Sequence, residues 1–251
     1  MGTSVATTTT AAASARRRVG DMLASPPPIP PDIRPSVRRP SDPSRSARLS
    51  QMARIVLVFG HPSQDSLSAA IRDRAAASLR DAGHHVDVLD LGAIGFTPEK
   101  TPAERAAYHG ATPVIDPVVA AHADLVKRAD ALLFVYPTWW SGLPAMLKGW
   151  LDRLMVPTVA FSFDADNHLV PGLRNIRLIA GISTYGSPWR YQKLVCDNGR
   201  RILHRTLRTM CARRCRRRWL ALYTMDTRTR EECAAFIDRA GRSVVRWAAA
   251  L

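Results

Sequence analysis

The chain predicts an α/β fold in which five parallel strands form a doubly wound sheet of order 2-1-3-4-5, covered by helices on both faces. Two observations lead there. Short runs that are apolar on both sides, RIVLVF at Arg54–Phe59 and ALLFVY at Ala131–Tyr136, suit parallel strands lying between two helical layers. Between such runs the apolar spacing changes to a helical stripe, and this alternation is the rhythm of βαβ units. In such a sheet a ligand binds beyond the carboxyl ends of the strands, where the strand order reverses, which here falls between the first and third strands.

Residues 1–52 come first, as a Pro-, Arg- and Ser-rich extension. TSVATTTTAAASARRR and SPPPIPPDIRPSVRRPSDPSRSARLS show no sustained apolar period, so no burial offsets the entropy of ordering them. Disorder is expected there, extended along the proline run that begins at Pro27. Met52 stands directly before the first strand as a candidate translation start; the residues ahead of it read as a tail without function or, alternatively, as a targeting or partner-binding segment. The domain proper then covers residues 53–251. Leu67, Ala70, Ile71, Ala75, Leu79 and Ala82 fall near one helical stripe, which Gly83 ends. His85–Leu89 is the second strand, and the helices Pro117–Arg128 and Ala145–Leu154 flank the third. Ile176–Ile182 and Trp219–Met225 are the fourth and fifth strands, and Arg230–Ala249 is a closing helix.

Composition narrows the function classes. No run approaches the roughly 18 apolar residues of a membrane span, and a secretory signal core is missing, so a cytoplasmic protein without stable membrane insertion is expected. Cys196, Cys211, Cys215 and Cys233 lack CxxC spacing and histidine partners, which reads as reduced thiols and no metal. The net charge of +15 is almost all arginine, with lysine only at positions 100, 127, 148 and 193. That bias is as expected from GC-rich coding, and nucleic acid is not expected as the main partner.

Three loops at the carboxyl ends of strands carry the chemistry. In Gly60–Ser68 (GHPSQDSLS), hydroxyl and amide groups meet a helix start, where backbone N–H groups and the helix dipole can cradle a phosphate; Ser66 serves either that cradle or the helix cap. In Tyr136–Pro144 (YPTWWSGLP), adjacent Trp139 and Trp140 cannot both enter one core from an extended segment, so at least one is expected to face a cleft and stack on a flat ring. Ser183–Tyr191 (STYGSPWRY) adds backbone donors around Gly186 and further aromatic surface. Together they describe a site for a flat heteroaromatic ring with a phosphate tail.

The combination GHPSQDSLS, YPTWWSGLPAMLKGWLDR and STYGS followed by RY, in this order and spacing, resembles the NAD(P)H:quinone oxidoreductase family of flavodoxin-like enzymes, the bacterial modulator-type quinone reductases included. The resemblance implies non-covalent FAD or FMN, NAD(P)H as electron donor, a quinone or similar small aromatic acceptor, and a homodimer. It places His61, Leu67 and Ser68, with the neighbouring Ser66, on the flavin phosphate side. Pro137 opens the loop in which Thr138, Trp139, Trp140 and Ser141 run along the isoalloxazine ring, and Ser183, Thr184, Tyr185 and Gly186 hydrogen-bond its polar edge. Ala160, Phe161 and Ser162 correspond to a segment that lines the quinone pocket from the neighbouring subunit, and Tyr191 to a catalytic tyrosine.

Three departures follow from the same resemblance. Phe161 and Phe163 stand where the family has tyrosines, which removes hydroxyls that would hold a quinone oxygen. Asp197 stands where a histidine partners the catalytic tyrosine, so an ionised carboxylate would oppose negative charge developing on the flavin unless protonated or turned away. Tyr185 replaces a small residue. The arginine-rich stretch Arg200–Arg218 reads as a solvated helix face before a phosphate-recruiting one. The competing functions are an azo- or nitroreductase and a flavin-binding ancillary subunit of a potassium efflux system; an electron-carrier flavodoxin fits poorly with the basic charge. The loop from Asp90 to Asp116, including Phe96-Thr97-Pro98, as a contact for an adenine extension, favours FAD.

Overall fold

The computed structural model describes residues 52–251, and the expectation for the N-terminal extension lies outside them. The chain forms β1 (Arg54–Phe59), α1 (Leu67–Asp81), β2 (His85–Asp90), α2 (Pro102–Ala107), α3 (Pro117–Arg128), β3 (Ala131–Pro137), α4 (Ala145–Leu154), β4 (Phe161–Phe163), β5 (Leu169–Pro171), β6 (Leu178–Thr184), α5 (Trp189–Leu194), α6 (Asn198–Arg201), β7 (Arg216–Leu222) and α7 (Arg230–Ala248). A π-helical turn, Ile202–Leu207, continues α6. The main sheet runs β2-β1-β3-β6-β7 with every pairing parallel; counted over its own strands, this is the expected order 2-1-3-4-5.

Alternation along the strands divides the core into two layers. On β3, Leu132, Phe134 and Tyr136 join Trp150, Leu147 and Val126 beneath α3 and α4. Ala131, Leu133 and Val135 join Ile71, Leu79, Val244 and Trp247 beneath α1 and α7. Every residue of β3 is buried, which is why its sequence reads as an uninterrupted apolar run. The helices begin where side chains satisfy their free N–H groups: Asp116 accepts from Val118 and Val119 ahead of α3, and Thr229 with Glu232 forms a capping box for α7.

Three elements differ from expectation, the first being the sheet's fourth strand, which covers Leu178–Thr184 and not Ile176–Ile182. The last strand covers Arg216–Leu222 and not Trp219–Met225, and Met225 belongs to a 3₁₀ turn. As an edge strand with exposed arginines at its start, β7 conceals its first half from any apolar pattern. The hairpin of β4 and β5 is antiparallel and only three residues on each side, too short and exposed for a periodic signal. The arginine-rich stretch is likewise only partly helical, since Arg216, Arg217 and Arg218 lie on β7.

The α4 layer is tied down by two contacts. Arg153 donates to Glu104 at 2.8 Å, to Asp116 at 2.8 Å and to the Thr97 carbonyl at 2.7 Å. One turn earlier, a Cβ placed on Gly149 would lie 2.5 Å from both Cα and Cβ of Pro98 and would strike its carbonyl oxygen. That neighbour is largely backbone and cannot swing aside, so Gly149→Ala is expected to cost about 1–3 kcal/mol through overpacking, despite alanine's better helix propensity. Chemical denaturation followed by circular dichroism reads this directly; an unchanged midpoint would show that the Thr97–Pro98 turn yields freely.

Candidate active site

The carboxyl ends of β1, β3 and β6 bring together the three loops singled out from sequence. After β1, His61 is half-buried, accepts from the Ser63 N–H at 2.9 Å, and has its ring centroid 5.9 Å from that of Trp139. The Ser66 hydroxyl accepts from Ala69 N–H and donates to the Ser63 carbonyl, so it caps α1. Leu67 and Ser68 open the helix, where backbone N–H groups have no intrahelical acceptor. Ser68 is buried and Leu67 half-buried.

After β3, Pro137 pairs with Thr184 in the sheet, and Thr138 donates its N–H to the Thr184 carbonyl at 2.8 Å. The Thr138 and Ser183 hydroxyls lie 2.8 Å apart. Trp139 and Gly142 then exchange backbone hydrogen bonds of 3.2 and 2.9 Å around Trp140 and Ser141, whose φ values are 46° and 57°. Positive φ at both central positions makes this a two-residue I′-type turn without glycine, a conformation that costs on the order of 1 kcal/mol per residue. It holds Trp139 exposed and Trp140 wholly in solvent. Neither indole packs under α4, so both remain available to stack on a ligand.

The loop after β6 is arranged differently from expectation. Thr184 is buried and its hydroxyl has no partner, while Gly186 is exposed. Tyr185 is turned inward: it is 1% exposed, stacks on Tyr223 at 4.8 Å and donates its hydroxyl to Asp197 at 3.0 Å. Its N–H and carbonyl are engaged by Leu222 and Met225. Tyr185 therefore supports the loop from beneath. Burial pushes the Asp197 carboxyl above the usual carboxylate range, and burial with Asp197 beside it pushes the Tyr185 phenol well up. The carboxyl expected to oppose charge on a ligand is thus turned onto the Tyr185 hydroxyl. Tyr191 lies exposed in the first turn of α5, without the partnership to residue 197 that Tyr185 has.

The acceptor segment falls elsewhere. Ala160 and Phe161 line an apolar cavity of about 640 Å³ with Met155, Leu169, Ile202 and Met210, and none of the three loops contributes to it. Ser162 is exposed on β4, outside that wall. A second cavity, of about 550 Å³, was not anticipated as a site. Its wall includes Lys193, Arg200, Arg201, Arg205 and Arg217 together with Gln192, His204 and Tyr223. The arginine density was the visible signal; what no linear pattern shows is that α5, α6, the π-helical turn and β7 direct these side chains into one cavity. Phe96 is buried and Thr97 and Pro98 are held against α4, so that segment lends no weight to FAD over FMN.

Residues 53–242 match the protein family described by a flavodoxin-like fold, and the chain belongs to it. Among curated proteins it is 33% identical over 133 residues to YcaK, an uncharacterised NAD(P)H oxidoreductase of Escherichia coli, a match spanning 52% of this chain and 66% of that protein. It is 28% identical over 160 residues to NAD(P)H dehydrogenase (quinone) 1 of Cavia porcellus, spanning 57% of each. The chain thus spans less than two thirds of the length of these relatives. Among solved structures, Smu.1420 from Streptococcus mutans is 27% identical with a TM-score of 0.65, covering 76% of this chain and 98% of that one. An NAD(P)H:quinone oxidoreductase from Methanothermobacter marburgensis, 23% identical with a TM-score of 0.64 over 78% of this chain and 96% of that one, shares the fold.

Proposed function

We propose that the protein is a flavin-dependent NAD(P)H oxidoreductase that passes two electrons to a quinone or related aromatic acceptor, acting as a cytoplasmic homodimer. The observation that carries this reading is the Trp139–Gly142 turn, which holds two exposed indoles at the switch point of the sheet. Three further features fit a flavin. Thr184 offers a buried hydroxyl without a partner, the start of α1 offers free N–H groups to a phosphate, and Thr138 and Ser183 present hydroxyls between them. Bound there, FAD or FMN supplies the redox chemistry, taking hydride from the reduced nicotinamide and giving it to the acceptor.

The chain's own residues bind and orient. His61 and the α1 N–H groups hold the phosphate end, Trp139 and Trp140 provide a flat apolar surface, and Thr184 fixes an edge. Asp197 is turned onto the Tyr185 hydroxyl, which it holds beneath the loop. The separation of Ala160 and Phe161 from these loops within one chain supports an acceptor pocket completed by a partner subunit. The four free cysteines suit a reducing compartment. The test is the absorbance spectrum of the purified protein before and after anaerobic NADPH, with the released cofactor identified by chromatography and the mass in solution by light scattering. Flavin bands that bleach and recover on adding a quinone are expected; a protein that takes up neither FAD nor FMN would overturn the reading.

A further inference from the structure

The basic cavity beside the Tyr223–Asp197 support of Tyr185 concentrates positive charge, offset only by Asp197 next to Arg200, whose guanidinium also packs over the Trp219 ring. Lys193, Arg200, Arg201, Arg205 and Arg217 all line it, and among the described residues none of them forms an ion pair. The Asp197 carboxylate at its rim is already engaged with Tyr185. Like charges gathered around a concave surface repel one another and raise the local affinity for an anion.

Two buried polar atoms in the same wall have no partner. Gln192 is 4% exposed and donates to Ser187, yet its Oε1 is unpaired; His204 is 8% exposed and its Nε2 is unpaired. A buried polar atom without a partner is costly, and a ligand that supplies one removes the cost. Above them Trp189 presents an exposed indole, with Lys193 at 5.1 Å from its ring. The edge strand contributes Arg217 near its start, and Tyr223, just past its end, also lines the cavity. In that wall Tyr223 and Asp197 touch Tyr185 at the loop after β6.

Guanidinium forks that match phosphate, unpaired polar atoms on two lining residues, an exposed aromatic surface and a wall that shares Tyr223 and Asp197 with the support of Tyr185 describe a phosphorylated nucleotide more closely than an inorganic anion. We propose that this cavity binds the adenosine end of the reduced dinucleotide and recognises its 2′-phosphate, so that the protein selects NADPH over NADH. This rests on the oxidoreductase reading and specifies its electron donor.

The experiment is calorimetric binding of 2′,5′-ADP and of 5′-AMP to the purified full chain, alongside steady-state comparison of NADPH with NADH. The 2′-phosphate compound is expected to bind at least about tenfold more tightly, with the difference shrinking as ionic strength rises. Arg201→Ala/Arg205→Ala is expected to lower that ratio, and to lower the kcat/KM ratio of NADPH to NADH with it. Arg246→Ala on α7, outside the cavity, is expected to leave both unchanged. Equal binding of the two nucleotides, or an equal loss in the Arg246 variant, would overturn the proposal. The two readings fail separately: nucleotide discrimination by a protein that takes up no flavin would keep this site and sink the oxidoreductase assignment, whereas a quinone-reducing flavoprotein indifferent to the 2′-phosphate would do the reverse.

Discussion

Arg153→Ala is expected to cost about 3–5 kcal/mol, the characteristic penalty for removing one partner from a buried ionic cluster. The Arg153 side chain is 5% exposed and that of Glu104 is 7% exposed, so the carboxylate left behind would keep little access to water. Burial by itself raises the Glu104 carboxyl, but the Thr101 N–H and Arg153 outweigh it and hold the group below its ordinary value; Asp116 is lowered in the same way by the Val119 N–H and Arg153. Groups lowered in the folded state contribute stability that is present above their unfolded values and fades as pH falls through the folded ones. The deficit of the Arg153 variant is therefore largest near neutrality and narrows below about pH 4. Urea denaturation at pH 7 and pH 3 checks both statements. Pairing Arg153→Met with Glu104→Gln should recover part of the loss, because no uncompensated charge then remains. A loss below 1 kcal/mol at pH 7 would mean that water reaches Glu104. Since α4 follows directly on the Trp139–Gly142 turn, weaker flavin retention is expected to accompany the loss.

This result bears on how the sequence is read. The run from Pro137 to Trp150 lies within one of the segments that carried the family resemblance, yet much of it serves packing. Trp150 is buried and donates to His122 at 3.2 Å, Gly149 accommodates Pro98, and Lys148 pairs with Asp152 at the surface. The chemistry is concentrated in the first residues, Thr138 to Ser141, where the positive-φ turn exposes the indoles. The strand order was legible because β1, β3 and β6 are buried along almost their whole length and reveal it as apolar runs. The beginning of β7 was illegible because an edge strand can bear arginines without losing its pairing. Tyr185 was expected, with its neighbours, to hydrogen-bond the ring's polar edge; its side chain instead turns inward onto Tyr223 and Asp197, contacts that no local pattern reveals. The basic cavity was visible only as composition, since four separate elements supply its wall.

The same cavity predicts a titration. Burial, reinforced by the nearby guanidinium groups of Arg200 on α6 and Arg217 on β7, lowers the His204 imidazole to about 4, against a contrary bond to the Arg218 backbone. The folded protein thus keeps His204 neutral where the unfolded chain would protonate it, at about 6.5. A group lowered in this way stabilises the fold above its unfolded value, and the contribution is lost as pH falls from about 6.5 toward 4. At pH 5 the loss amounts to about 2 kcal/mol at most. His122 and His84 are lowered by burial as well, so the wild-type slope is shared. The difference between the wild type and His204→Gln isolates the part due to this ring, and it should change between pH 7 and pH 5 in favour of the variant. A parallel pair of stability curves would show that His204 is solvated in the folded state. An anion seated among the arginines reverses the field at the imidazole and raises its proton affinity. The acid loss should therefore be smaller with 2′,5′-ADP present than with 5′-AMP at equal occupancy, and binding of the former should take up protons near pH 5. Proton uptake measured by calorimetry in buffers of different ionisation enthalpy follows this linkage without any redox turnover, and its disappearance in His204→Gln would assign it to that ring.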